Sequence, residues 1–160
     1  MAGSRYASNT SVPIAKSKAE IETMLVKYGA TGVGYATDGD RAGVMFRVTH
    51  EGMGLSVRIM LDLPSRDSKE FMFTPARRYR RNEEEQYKAW EQACRSRWRA
   101  LTLVIKAKLE AIECGISTIE REFLPDVLLP DGSTVGHFIE ENREALLIAG
   151  SRPLLPGGDA

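Results

Sequence analysis

A two-layer α+β fold is predicted, with an antiparallel sheet of three to four strands packed by one long helix and short helices at both ends. Three observations predict it. An unbroken helical stripe runs between Asn82 and Gly115, period-two segments fill Ala30 to Leu63, and helix-capping signals flank both blocks.

The helix carries the clearest pattern. Tyr87, Trp90, Cys94, Trp98, Leu101, Ile105, Leu109 and Ile112 recur every three or four positions, which sets them on one stripe about 100° wide that has to be buried. Asn82 followed three residues later by Glu85 reads as a capping box, and Gly115 can adopt the left-handed conformation that closes a helix. The phase places Trp98 in the core and Arg99 on the surface, with Tyr87 and Trp90 at the edge of the stripe.

The remaining elements follow in chain order. Residues 1–13 are rich in Ser, Ala, Asn and Gly and read as a disordered tail, 14–150 as a single domain, and 151–160 as a flexible tail. Ser17 and Glu20 form a capping box for a first helix over about residues 18–28, with Ile21, Met24, Leu25 and Tyr28 on its apolar side and Gly29 at its end. The period then changes to two. GVGYAT, the turn Asp38-Gly39-Asp40 and RAGVMFRVT make a hairpin in which Ala42, Val44, Phe46 and Val48 face one way. LSVRIMLDL is a third strand, and FMFT at 71–74 a short fourth edge strand that Pro75 stops. By parity Arg47 and Arg58 lie together on the sheet face opposite the aliphatic one. Beyond Gly115, Ser117 and Glu120 cap a short helix ended near Leu124 by Pro125, VLLPDGSTVG is a strand, turn and return, and Ser133 or Thr134 caps a last helix. That helix carries Val135, Phe138, Ile139, Asn142, Ala145, Leu146 and Ala149 and stops at Gly150.

Composition narrows the function classes. The chain of 160 residues is 42% hydrophobic and 28% charged, ordinary values for a soluble domain, and it has no run near the roughly 20 apolar residues of a membrane span. The N-terminus lacks the apolar core of a secretory signal, and the two cysteines fall on one helix, so a reduced, cytoplasmic setting is expected. Cys94 and Cys114 are 20 residues apart, about 30 Å along a helix, too far to bridge or to share a metal. His50 and His137 have no Cys or carboxylate at ligand spacing, so no metal or other cofactor is implied. Gly29, Gly32 and Gly34 precede a strand rather than opening a helix, which lacks the geometry of a phosphate loop. Asp38 and Asp40 flank a glycine as turn residues do, so with Asp62 they read as surface acids rather than a two-metal cluster. Ser117 and Ser133 are caps without a His and acid in an elbow context. The chain is read as non-enzymatic.

Charge supplies the functional lead. Residues 1–76 carry 9 Lys+Arg against 8 Asp+Glu, residues 77–108 carry 10 against 4, and residues 109–160 carry 3 against 10. A concentrated basic middle and an acidic end can bind a polyanion locally or pair one copy with another. The run Arg77, Arg78, Tyr79, Arg80, Arg81 packs four guanidinium groups and an aromatic ring into five residues, a self-repelling cluster that a phosphate backbone would relieve. Tyr79 offers a stacking face for an unpaired base. Arg95, Arg99 and Lys106 on the long helix, with Arg47 and Arg58 on the sheet, complete the candidate nucleic-acid-binding set. Some of the helix charge is expected in i,i+4 pairs such as Glu91–Arg95 and Lys106–Glu110. The expected partners are therefore nucleic acid, single-stranded DNA among the forms considered, a host protein, or a second copy in a homodimer; no membrane partner is expected.

The block WEQACRSRWRALTLVIKAKLEAIECGIST, followed by LLPDGSTVG and preceded by KYGATGVGYATDGDRAGVMF, resembles a family of small uncharacterised proteins encoded by tailed bacteriophages and prophages, over most of residues 14–139. The resemblance implies a phage setting inside a bacterial host cell and carries no activity with it. Antiparallel strands followed by a long helix are also similar in topology to the core of phage single-strand annealing proteins, an analogy of fold alone.

Overall fold

The computed structural model describes residues 10–76 and 78–146, with the backbone only at 145 and 146, so the expected tails over 1–9 and 151–160 and the end of the last helix lie outside the described residues. Three strands, β1 (Thr31–Asp38), β2 (Arg41–His50) and β3 (Met53–Asp62), form an antiparallel meander in that order. Both connections are two-residue turns. Asp38 pairs with Arg41, and Gly39 takes the positive φ of 55° there; His50 pairs with Met53, and Glu51 and Gly52 both have positive φ, 48° and 78°, the pattern of a type I′ turn. A bulge between Thr31 and Gly34 bends the exposed edge of β1.

The alternation predicted for β2 is realised. Ala42, Val44, Phe46 and Val48 are buried, as are Val57 and Ile59 on β3, while Met45 and Met60 lie on the open face. Two helices cover the aliphatic face: α1 (Ile14–Lys27) and α3 (Glu83–Glu113), with a short α2 (Lys69–Met72) between them in sequence. Trp98 meets Tyr35 edge-on at 6.0 Å between centroids, and Phe46 meets Phe123 at 5.6 Å. The α3 stripe packs as its phase dictates, with Cys94, Trp98, Leu101, Ile105 and Leu109 each at most 6% exposed. Its capping box is complete: Asn82 accepts from the Glu85 amide at 2.9 Å and the Glu85 carboxylate accepts from the Asn82 amide at 3.0 Å. Gly115, at φ 70°, follows the helix end.

Four local expectations are corrected. Helix α1 begins at Ile14 behind Pro13, and Ser17 is fully buried inside it without a capping bond. Ser17, Ile21 and Leu25 are four residues apart, so the serine extends the buried stripe instead of starting the helix. Second, residues 69–72 form α2 rather than an edge strand, anchored by buried Phe71. The edge of β3 is taken instead by Val127, bridged to Val57, and Leu128, whose amide donates to Ser56 O at 2.8 Å. Third, Thr118 rather than Ser117 caps α4 (Ile119–Phe123), one position later than expected. Fourth, the last helix is interrupted. Thr134 caps α5 (Val135–Glu141), and the chain breaks at Asn142 before α6 (Arg143–Leu146). The Asn142 side-chain amide donates to Phe138 O at 2.8 Å and so competes with the helix ladder. Gly136 lies so close to the Leu124–Asp126 turn that a Cβ there would sit 2.9 Å from Pro125 O. Helix α5 docks through that glycine and leaves Phe138 at 52% and Ile139 at 42% exposed, so these two members of the predicted stripe do not face the core.

Candidate nucleic-acid interface

The end of the basic run, residues 79–81, is paired with the segment before it. Phe73 bridges Arg80, the Thr74 amide donates to Tyr79 O at 2.9 Å, and the Arg81 amide donates to Met72 O at 2.8 Å, so 72–74 and 79–81 form a short antiparallel ribbon. Pro75 and Ala76 form a turn directly after the first of these runs, where the fixed proline dihedral suits the first turn position. The Gln86 side chain donates to Arg81 O at 2.8 Å and fixes the ribbon's base to α3. Alternation puts Phe73 with Arg80 on one side of the ribbon and Thr74 with Tyr79 on the other.

Arg78, Tyr79 and Arg80 are exposed, Tyr79 at 73%, and among the described residues the guanidinium groups of Arg78 and Arg80 have no hydrogen-bond or ion-pair partner. Arg77 lies outside the described residues. Arg81 is half-buried, and its guanidinium faces Glu70 O and Phe71 O at 3.4 and 3.5 Å. In the first turns of α3, the ring of Tyr87 is covered by Arg66, 5.1 Å from its centroid. Glu83, Glu84 and Glu85 in the first turn of α3 suit the helix dipole and bound the ribbon's positive field on that side.

The helix cations have a different fate. Arg95 is tied to Gln92 Oε1 at 2.5 and 3.1 Å and to Glu91 at 3.0 Å. Arg99, outside the core as its phase requires, is partly exposed and pairs with Glu20 of α1 across the helix interface. Lys108 donates to Glu122 O and stands over the Phe123 ring. Lys106 is exposed and makes no pair with Glu110. It lies with Lys16, Glu20 and Arg99 along the groove between α1 and α3.

On the open sheet face Arg47 and Arg58 are diagonal neighbours as parity requires, since Arg47 stands opposite Ser56 and Met45 opposite Arg58. Only Arg47 is exposed. Arg58 donates to Gly132 O at 2.8 Å, beneath the turn that follows Leu128, with its Nε buried and unpartnered. The predicted set is thus dispersed. The structure brings Arg78, Tyr79, Arg80 and Arg81 together, leaves Lys106 and Arg47 free on separate faces, and engages Arg58, Arg95 and Arg99 within the fold. Phe73, 40% exposed beside Arg80, is the member sequence reasoning missed. Trp90, expected at an uncovered edge, is half-buried and donates from Nε1 to Pro64 O at 2.8 Å.

Ionisable groups elsewhere serve the fold. His50 contacts Glu120, whose carboxyl is held below its ordinary range by its own backbone amide, by Thr118 and by His50. Burial pushes Tyr35 up to about 12, and its hydroxyl donates to Lys18 O at 2.6 Å. Tyr28 also rises to about 12, through its hydrogen bond to Glu113. Among the described residues no group of three or more His, Cys, Asp or Glu is placed to hold a metal ion, and no helix is long and apolar enough to cross a membrane. No protein-family description, curated protein or solved structure matches the chain.

Proposed function

We propose that this protein binds nucleic acid without catalysing a reaction, acts in phage DNA metabolism, and makes its main contact through the 72–81 ribbon. The observation that carries the reading is the pair of arginines, Arg78 and Arg80, exposed, without an ion-pair partner among the described residues, and flanking in sequence the 73% exposed Tyr79. Guanidinium groups that no acid among the described residues already engages are available to phosphate, and an exposed tyrosine can stack on an unpaired base, which favours a single strand. Helix residues Arg95 and Arg99 contribute little, because each would have to abandon an existing partner; Lys106 and Arg47 are peripheral.

Fluorescence anisotropy with a labelled single-stranded oligonucleotide tests the reading. If about four phosphates are contacted, log affinity falls against log salt with a slope near −3. Absence of binding at 50 mM salt sinks it.

A second reading, a phage-encoded interaction module such as an inhibitor or adaptor of a host complex, is favoured by exposed Phe138 and Ile139 on α5. It predicts a stoichiometric partner retained through nuclease treatment during affinity purification from expressing cells. Recovery of the bare protein counts against it.

A further inference from the structure

We infer that two copies of this chain associate by seating the 72–81 ribbon of each on helix α5 of the other. The two surfaces are complementary in charge and alike in apolar exposure. The stretch from Phe71 to Asn82 holds four arginines and no acid, while α5 and the start of α6 hold Glu140, Glu141 and Glu144 against Arg143. Phe73 stands out on the Arg80 side of the ribbon at 40% exposure, with Tyr79 at 73% on the other side, and Phe138 and Ile139 stand out of α5 at 52% and 42%.

Among the described residues neither surface is covered. Helix α5 packs on the Leu124–Asp126 turn and on α6, through the close Gly136–Pro125 approach, and that docking turns its apolar residues outward. The ribbon is held at its base by Gln86 and by its own backbone bonds, which leaves the side chains of Phe73, Arg78, Tyr79 and Arg80 exposed. Exposed aromatic and aliphatic side chains flanked by charge mark association surfaces, and charge of opposite sign fixes which two surfaces meet. Each copy carries both halves, so a twofold arrangement closes with two equivalent contacts and leaves none open. Glu141 already faces His137 at 3.3 Å, so Glu140 and Glu144 are the acids available to the partner's arginines.

Self-association alone is read out here, so the inference stands or falls apart from the nucleic-acid reading. Light scattering coupled to size exclusion, at tens of micromolar and 50 mM salt, should give twice the 17.8 kDa chain mass. Raising salt to 1 M shortens the screening length from roughly 14 Å to about 3 Å and should shift the population toward monomer. A charge exchange supplies the specific arm. Arg78→Glu with Arg80→Glu should be monomeric, and Glu140→Arg with Glu144→Arg likewise, because each removes both contacts of the twofold pair. Mixed in equal amounts, the two variants should form a heterodimer, since reversed ribbon then meets reversed helix and the other contact is native. All four positions are exposed, so unchanged melting curves should confirm that folding is intact. A wild-type monomer at both salts overturns the inference, and so does a dimer indifferent to these reversals, or a mixture that stays monomeric.

Discussion

Arg99 and Arg80 belong to one basic block of the sequence, yet the fold treats them in opposite ways. Arg99 crosses from α3 to Glu20 of α1 and becomes part of the helix interface, whereas Arg80 projects from the ribbon with no ion-pair partner among the described residues. The same division holds more broadly. Arg95 and Lys108 on the helix are occupied by Glu91, Gln92 and Glu122, while Arg78 on the ribbon is not. An excess of positive charge therefore marks a binding surface only after the acids and carbonyls that fold back on it have been subtracted.

The widest separation between the two regions should be in stability. Trp98 is 2% exposed against Tyr35 and the sheet, so Trp98→Ala should cost about 3–5 kcal/mol, whereas Tyr79→Ala should cost under about 0.5. Urea unfolding of both variants checks it; similar losses would mean that the ribbon is as integral to the core as α3.

A smaller difference is expected among the cations. The Arg99–Glu20 pair is partly exposed, with side chains at 27% and 36%, so a double-mutant cycle on it should return a coupling of about 1 kcal/mol, lowered by salt. Arg80→Ala should leave stability unchanged within about 0.5 kcal/mol. A vanishing coupling would place Arg99 back among the free surface charges.

The smallest effect concerns the two carboxyls near the α3 C-terminal half, and its sign depends on pH. Burial raises Asp126, with Lys108 opposing, so the folded state holds its proton more tightly than the unfolded chain. Stability from that group is present below its ordinary value and is lost as pH rises through the raised one. Asp126→Asn should therefore melt above wild type at neutral pH, with the gain fading toward pH 3. Glu120 runs the other way: its lowered value gives stability above the ordinary carboxylate range that is lost as pH falls through the depressed one. Glu120→Gln should melt below wild type at neutral pH and converge with it in acid. Melting curves from pH 3 to 8 read both signs.

Much of the architecture was legible because its signals are periodic. The α3 stripe, its Asn82–Glu85 capping box and the alternation in β2 and β3 each repeat a pattern several times, so an isolated exception cannot overturn them. Single-residue signals fared less well. Ser17 satisfied the spacing of a cap but also the four-residue period of the buried stripe, and burial won. FMFT read as a strand because the competition for the β3 edge, taken by Val127 and Leu128 far along the chain, leaves no local trace. The candidate site was half legible for the same reason. Clustering of Arg77 to Arg81 is visible in sequence, but Glu20 lies 79 residues from Arg99 and the Gly132 carbonyl lies 74 from Arg58, so no window of sequence reveals that those arginines are occupied.

The central claim is that the ribbon and not the helix face carries nucleic-acid affinity, and a salt titration of oligonucleotide binding by three proteins tests it most directly. For Arg78→Ala with Arg80→Ala the slope of log affinity against log salt should flatten by about 1.4 from the wild-type value, the loss of two phosphate contacts on a single strand. For Arg95→Ala both slope and affinity should stay near wild type. Equal slopes for the wild type and the ribbon variant, or a larger loss from Arg95→Ala, would contradict the account.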